Sequence, residues 1–447
     1  MRSFAARRRF VAVTLIAILS ITALATPVFA QSGGTLDLRT NVIAGGGNTS
    51  SGSGNKQVSG TVGEPSAGRQ LSGGTLTLTG GFWPAILGIA SSLPVVQFSA
   101  SSYTVGEGSP RVDITLTRSG NTTSSATIGF QTIDSAGLQN CNVFNGVASP
   151  RCDFINTIGT LQFAAGETSK SFSVAIIDDS YAEGNETFSV TLSGTSSAML
   201  GTRATATITI VDNDAVTGPN PIDGTDFFVR QQYLDFLNRE PDPPGFAGWT
   251  STINNCAPGD TSCDRIHVSQ LFFQSAEFQQ RGYFVYRFYD VAFGRKPDYD
   301  EFVPDLASVS GFLDNNQLEA AKVAFIADFM ARPAFANTYN PLNNTQYVDM
   351  LLNTAGVTLS SRQSMIDGLN NSTLTRAVVL RQIVESSEVS TKYNHEAYAV
   401  MEYFGYLRRQ PDAFYLDWIR VLDSTNDPRG MVTGFVTSAE YRQRFGP

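Results

Sequence analysis

The stretch that most constrains this chain runs from Ile176 to Phe188, where a strand pattern meets a cluster of acids. Apolar and polar residues alternate on both sides of it, over Phe172–Ile176 and Phe188–Leu192, as in half-buried strands. The loop between these strands carries four carboxylates, those of Asp178, Asp179, Glu183 and Glu186. Such a loop is either a solvated turn or a cation site, and the rest of its domain decides between the two.

The first 30 residues have the pattern of a signal peptide. Four arginines precede an apolar run from Phe10 to Leu24, and Val28-Phe29-Ala30 has the small-residue pattern of a cleavage site. The run is short for a membrane span. The prediction is a secreted or cell-surface protein that begins near Gln31 and has no transmembrane span after cleavage; an uncleaved anchor is the alternative.

Charge and cysteine content narrow the class of protein. Removing the four arginines of residues 1–30, which hold no acid, takes the formal net charge from −9 to −13. Nucleic-acid binding needs clustered Lys and Arg, so no nucleic-acid partner is expected and cations are favoured. Outside the cell, the close pairs Cys141/Cys152 and Cys256/Cys263 predict two local disulfides.

Residues 94–215 have the regular alternation of an antiparallel β-sandwich. Seven strands are predicted, at Val95–Val105, Val112–Arg118, Ala126–Gln131, Gly159–Phe163, Ser169–Ile177, Thr187–Leu192 and Ala204–Val211. If successive strands reverse direction, the turns after odd-numbered strands share one end of the sandwich. Nine of the ten acids in turns fall at that end, and only Glu167 falls at the other.

So many carboxylates at one end repel one another unless a cation neutralises them. Calcium fits best, because it accepts six to eight hard oxygen ligands from separate loops. No cysteine or histidine is placed to suggest a softer metal, and magnesium is the second choice. Asp134, which no motif supports, is expected to be a solvated turn residue.

Several phrases in this stretch carry a family resemblance. Gly159–Thr168, Ile176–Asp179, Glu183–Phe188 and Ile210–Asp214 follow one another as in a Calx-beta domain, the calcium-binding, immunoglobulin-like sandwich of sodium/calcium exchangers and integrin β4. The resemblance implies metal ligands at the matching positions: Glu107, Asp153, Asp178, Asp179, Glu183, Glu186, Asp212 and Asp214. Ser180 and Asn213 stand where strong binders carry Asp, which implies weaker affinity or fewer ions.

The flanking regions lack such chemistry. Residues 31–93 are rich in Gly, Ser and Thr and are predicted to be a small β module or stalk, and residues 216–224 a linker. From 225 to 447 the periodicity is helical. Three phrases there share Arg-x-Pro-Asp with a tyrosine six residues before the arginine, which predicts a repeat of about 55 residues. They begin at Arg239, Arg295 and Arg409.

Proline ends one helix in each phrase and aspartate caps the next, so a structural role is favoured over catalysis. A second phrase, Ser275–Phe278, returns as Ser438–Tyr441. Together these phrases resemble the helical domain of unknown function 4214 of exported bacterial proteins. That resemblance implies a scaffolding or surface module without established activity.

The sequence thus predicts a non-enzymatic, exported surface protein. Calcium rigidifies the Calx-beta sandwich, and the helical module meets a protein or surface-polymer partner in adhesion or cell communication, associated with the membrane surface. Two alternatives stay open: a hydrolase carried by the helical domain, and a structural stalk without bound ion. Against the hydrolase, residues 225–447 contain no nucleophile elbow, phosphate loop or paired-carboxylate phrase.

Overall fold

The computed structural model describes residues 58–60, 70–73, 76–80, 93–137 and 141–447. The chain divides into two compact units, Met1–Ser91 and Ser92–Pro447. The predicted signal peptide lies outside the described residues. In the first unit three short strands are described, β1 (Val58–Gly60), β2 (Gln70–Gly73) and β3 (Leu76–Gly80). Strand β3 is central, parallel to β1 and antiparallel to β2.

The second unit opens with a β-sandwich of two sheets. Its strands are β4 (Val95–Phe98), β5 (Ser102–Gly106), β6 (Arg111–Ser119), β7 (Ala126–Ile133), β8 (Ile158–Phe163), β9 (Ser169–Ala175), β10 (Glu186–Ser193), β11 (Met199–Leu200) and β12 (Thr205–Val211). One sheet has the order β5-β12-β10-β7-β8 and the other β11-β4-β6-β9. Every second residue of a strand points into the core between the two sheets. In β6, for example, Val112, Ile114 and Leu116 are all buried.

Two sequence-based expectations about this sandwich are wrong. The predicted first strand, Val95–Val105, is two strands in different sheets, because buried Val96 and Phe98 differ in parity from buried Val105. One continuous strand cannot point residues of both parities into the core. The chain therefore changes sheet between Phe98 and Ser102. The sandwich is also not wholly antiparallel, since β5 pairs with β12, and β11 with β4, in parallel.

A helical region follows the sandwich. Its α-helices are Thr225–Leu237, Pro243–Asn254, Arg265–Gln274, Ala276–Gln280, Gly282–Phe293, Tyr299–Ser308, Asn315–Ala331, Pro333–Tyr339, Asn344–Ala355, Arg362–Asn370, Arg376–Val384, Ser387–Lys392, Asn394–Glu402, Tyr415–Thr425, Arg429–Val436 and Ala439–Arg442, with a 3₁₀ turn at Pro221–Asp223 and a π-helix at Tyr403–Leu407. Helix Gly282–Phe293 is apolar on nearly every face and is buried almost throughout. No helix in the described part of the chain has the length and apolar character needed to cross a membrane.

The three Arg-x-Pro-Asp phrases are helix junctions. The residue before each arginine has a left-handed backbone conformation, with φ of 50° at Asn238, 64° at Gly294 and 48° at Arg408. Each arginine then packs over the tyrosine six residues earlier, with the guanidinium carbon 4.9 to 5.5 Å from the ring centre. The phrase thus follows a helix end of the same kind at three places. The expected aspartate cap is present at Asp242 and Asp298 but wrong at Asp412, since helix Tyr415–Thr425 has Phe414 at its N-cap. The wider 55-residue repeat stays a prediction.

The sandwich and the helical region pack directly against each other within this unit. Ile155 and Ile177 belong to the sandwich strand ends, yet both are buried in the apolar core of the helical region. The predicted linker is also held in place, because Asn220 Nδ2 donates to the carbonyl oxygens of Arg442 (2.8 Å) and Gly446 (3.0 Å). The acidic loops after β9 and β12 therefore lie beside the junction of the two regions.

Candidate metal centre

All eight predicted ligands lie at one end of the sandwich, in the loops and strand ends that the motifs indicate. Glu107 directly follows β5, Glu186 begins β10, and the others occupy the loops after β7, β9 and β12. Seven of them form three groups, each with one oxygen per residue within 4.8 Å of the others. The groups are Glu107/Asp179/Glu183, Glu107/Asp212/Asp214 and Asp153/Glu183/Glu186. Glu107 and Glu183 each belong to two groups, so the cluster is continuous.

Asp178 is placed differently from the other seven. It lies outside these groups, and its Oδ1 accepts a hydrogen bond from Asn213 Nδ2 at 3.0 Å. The Asn213 amide thus holds a neighbouring carboxylate at the edge of the cluster. Asp134 is an exposed turn residue whose Oδ1 accepts the backbone N–H groups of Ala136 and Gly137.

Backbone donors fix the carboxylates that are most buried. The Asp179 N–H donates to Glu107 Oε1 at 3.1 Å, and the Tyr181 N–H donates to Asp179 Oδ1 at 2.7 Å. The Ser149 N–H likewise holds Asp153 Oδ2 at 2.5 Å. Each contact uses one oxygen of its carboxylate. The protein therefore orients these groups before any ligand binds.

The second oxygens of Glu107 and Asp179 have no hydrogen-bond partner among the described residues. Glu107 is only 3% exposed and Asp179 only 5%. A buried carboxylate oxygen without a partner is costly, and structures rarely contain one unless a ligand, ion or water completes it. Both oxygens belong to the Glu107/Asp179/Glu183 group. This observation is independent of the acidity of the cluster and favours a ligand that would complete both oxygens.

Electrostatics in the cation-free state confirm that these groups cannot all be ionised together. Burial, followed by the field of neighbouring acids, raises the pKa of Asp179 and of Glu183 to about 10 and that of Glu186 to about 9. Burial also raises the pKa of Glu107 to about 8, although the Asp179 N–H opposes the shift. Without a cation, protons must neutralise the cluster at neutral pH.

Asp153 differs from the other buried acids. Burial raises its pKa to about 6 only, because the Ser149 N–H, the Glu186 side chain and the Arg408 guanidinium all favour its ionised form. Arg408 belongs to the helical region and had no signal in the sequence, since its partners in this loop, Pro150 and Phe154, are more than 250 positions away. No ion pair of the described chain includes any of the eight acids.

The donor set selects the kind of cation. All the donors are carboxylate oxygens from four separate chain segments, which suits a hard divalent ion with flexible coordination. Among the described residues, Cys256, Asp260 and Cys263 also lie close enough together to hold a metal ion. They are excluded as a metal site because the two cysteines form a disulfide. The second predicted disulfide, Cys141–Cys152, is also present and confirms the pairing; it ends one residue before Asp153.

Comparison with known proteins agrees with the geometry of this region. Residues 91–214 match the Calx-beta domain. The Calx-beta domain covers the whole sandwich and all eight acids, so the resemblance on the sequence motifs is confirmed over this range. The similarity of residues 225–445 to the domain of unknown function 4214 stays a prediction.

Individual relatives match the same part of the chain. This chain is 32% identical to sodium/calcium exchanger 1 of Felis catus in an alignment of 147 residues. The match covers 28% of this chain and 14% of the exchanger. This chain is 31% identical to the extracellular matrix organizing protein FRAS1 of Mus musculus over 125 residues, 27% of this chain and 3% of that protein. The chain thus spans a small fraction of these relatives.

A solved structure titled as the calcium binding domain CBD12 of CALX1.1 is also similar to this chain. It has 27% sequence identity and a TM-score of 0.24, and the match covers 27% of this chain and 46% of that one.

Proposed function

We propose that this chain is an exported, non-enzymatic calcium-binding protein, in which Ca²⁺ rigidifies the Calx-beta domain and the helical region meets a partner outside the cell. The observation that carries the proposal is the pair of buried oxygens of Glu107 and Asp179, which have no hydrogen-bond partner among the described residues and lie within a cluster of seven acids. Calcium would replace the protons that otherwise neutralise these acids, and it would join four chain segments that no covalent bond connects.

Two further observations support the extracellular part of the proposal. Both disulfides join residues close in sequence, which is typical of secreted proteins. The matched relatives include an extracellular matrix organizing protein. An adhesive or scaffolding role for the helical region, with a protein or surface polymer as the partner, follows from the predicted surface module and is part of the proposal.

Thermal melting of the full chain tests the proposal. Melting curves are recorded in chelator, in millimolar calcium and in millimolar magnesium. A ligand at a hundred times its dissociation constant stabilises the native state by about 2.7 kcal/mol, which predicts a rise of several degrees in calcium. The variant Asp179→Asn should lose most of this rise. Glu167→Gln, an acid at the opposite end of the sandwich, is the matched control and should keep it.

The outcomes separate the classes of function. A rise that calcium produces and magnesium does not supports the calcium site. Superimposable curves in chelator and calcium would reject it and favour a stalk without bound ion. Hydrolase activity of the full chain that acid-to-amide substitutions between residues 225 and 447 abolish would contradict the non-enzymatic part.

A further inference from the structure

The helical region holds the loop that carries Asp153. Arg408 Nη1 donates to the carbonyl oxygens of Pro150 and of Phe154, the latter at 3.3 Å. Arg444 Nε donates to the carbonyl oxygen of Arg151 at 2.7 Å. Together the two arginines bind backbone oxygens before and after Asp153. Both arginines lie more than 250 residues further along the chain.

The two arginines are themselves fixed in a buried network. Arg408 is 5% exposed and Arg444 is fully buried, and both guanidinium groups contact Asp235 Oδ1, at 3.0 and 3.2 Å. Arg444 Nη1 also donates to the carbonyl oxygens of Gly405 (3.3 Å) and Tyr406 (2.9 Å). A guanidinium with several fixed partners is a rigid support for the loop it binds.

A second acidic loop is held from the same side. The Ser180 N–H and its hydroxyl both donate to the carbonyl oxygen of Phe445, at 3.0 and 3.1 Å. The Tyr181 hydroxyl donates to the carbonyl oxygen of Gln443 at 3.2 Å. These two residues directly follow Asp178 and Asp179. The C-terminal segment Gln443–Phe445 thus fixes the loop that supplies two or more acids of the cluster.

We infer that Arg408 and Arg444 are positioning residues for the cation site, so that ion binding and the docking of the helical region onto the Calx-beta domain stabilise each other. The inference rests on the proposed function. Neither arginine belongs to the acids that would hold the ion; both hold the backbone of the loop that places Asp153 beside Glu183 and Glu186. Because linkage is reciprocal, an ion that needs this loop geometry also strengthens the contact between the two regions.

The magnitude follows from metal sites in general. Residues that orient metal ligands typically change metal affinity by about 10- to 100-fold when they are removed. Loss of a nearby positive charge acts in the opposite direction, since a guanidinium repels a cation. Arg408→Lys separates the two effects, because lysine keeps the charge and loses the fork that binds the loop carbonyls through Nη1 and Asp235 through Nη2.

Calorimetric titration of the full-length protein with calcium chloride tests the inference. Arg408→Met, Arg408→Lys and Arg444→Met are expected to weaken calcium binding about 10- to 100-fold. Tyr181→Phe, which removes one contact of the other loop without a buried charge, should weaken it a few-fold. Arg376→Met is the matched control, since Arg376 also donates to two backbone carbonyls, those of Tyr339 and Leu342, far from the acids. Its affinity should equal that of the wild type.

A second readout tests the reciprocal effect and guards against misfolded variants. Hydrogen exchange of the Ser180 amide, whose acceptor is the Phe445 carbonyl, should slow when calcium is added to the wild type. In Tyr181→Phe the slowing should be smaller. Wild-type affinity in all the arginine variants and in Tyr181→Phe, with exchange unchanged by calcium, would overturn the inference and leave the calcium site intact. No binding to the wild type would instead reject the proposed function.

Discussion

Glu107 and Asp179 show at the level of single residues how the cluster is prepared for a cation. Each carboxylate gives one oxygen to a backbone N–H and buries the other without a partner. The backbone contact fixes the direction of the group, and the other oxygen is the proposed site of cation binding. The same two side chains would therefore bind the cation and, when no cation is bound, destabilise the native state.

The variant Glu107→Gln should separate these two effects. In the wild type the pKa of Glu107, about 8, lies above that of a glutamate in the unfolded chain. The native state therefore loses stability as the pH rises towards 8. Glutamine cannot ionise and avoids this loss. In chelator at pH 8 the variant should melt above the wild type, and in calcium it should gain less. A lower melting temperature in chelator would show that Glu107 is not destabilising there.

Asp290 gives a pH prediction that does not involve the cluster. It lies on the buried helix Gly282–Phe293, and burial, with the Glu396 carboxylate adding to it and Lys392 opposing it, raises its pKa to about 9. Its contribution to stability is complete below the unfolded pKa of about 4 and is lost as the pH rises to about 9.

The variant Asp290→Asn should remove this loss. The stability of the variant relative to wild type should grow by about 1.4 kcal/mol per pH unit between pH 5 and 8. Chemical denaturation at both pH values, with calcium held constant, measures the difference. A difference that does not change with pH would show that Asp290 is ionised in the native protein.

At the level of elements, the helical phrases differ in how deeply they are packed. Arg239 and Arg409 each form a two-pronged ion pair with the glutamate of a distant Ser-Ala-Glu phrase, Glu277 and Glu440. Arg295 instead pairs with Glu301, only six residues away. The Arg239 and Arg409 phrases therefore join separate helices, whereas the Arg295 phrase closes a local turn.

This difference predicts unequal costs for the same substitution. Arg239 has 10% of its side chain exposed and Arg295 has 44%. Arg239→Met should destabilise the helical region by about 2 kcal/mol, because it leaves the mostly buried Glu277 with Arg281 as its remaining ion-pair partner and removes the packing on Tyr233. Arg295→Met should cost about 1 kcal/mol or less. Denaturant midpoints of the two variants measure the order, and equal costs would contradict it.

The motifs placed most of the acids because these lie close to a strand end, whereas Asp153, in the long loop between β7 and β8, was placed by the family resemblance. Alternation locates the strand, and the loop then follows from the next residues. The change of sheet between Phe98 and Ser102 was visible only as a shift of parity between Phe98 and Val105, which one long strand conceals. The contacts of Arg408 and Arg444 had no local signal, because they depend on the packing of two distant regions.

At the level of the whole molecule, the sandwich and the helical region meet where the acids lie. Ile177, the residue before Asp178, is buried in the core of the helical region. The Ser180 hydroxyl donates a hydrogen bond to the carbonyl oxygen of Phe445. Forces on one region therefore reach the loops of the other. Under the proposed function, calcium bound at this junction would stiffen the contact between the Calx-beta domain and the helical region.

The most direct test of the central claim is a crystal structure of the full chain grown in calcium, with anomalous diffraction used to locate the ion. The account predicts anomalous density between Glu107, Asp179 and Glu183, with the free oxygens of Glu107 and Asp179 at about 2.3–2.6 Å from it. Density near Asp153, Glu183 and Glu186 would mark a second ion. A map without density at this end in calcium-saturated crystals, with Glu107 and Asp179 bonded to each other or to water, would contradict the claim.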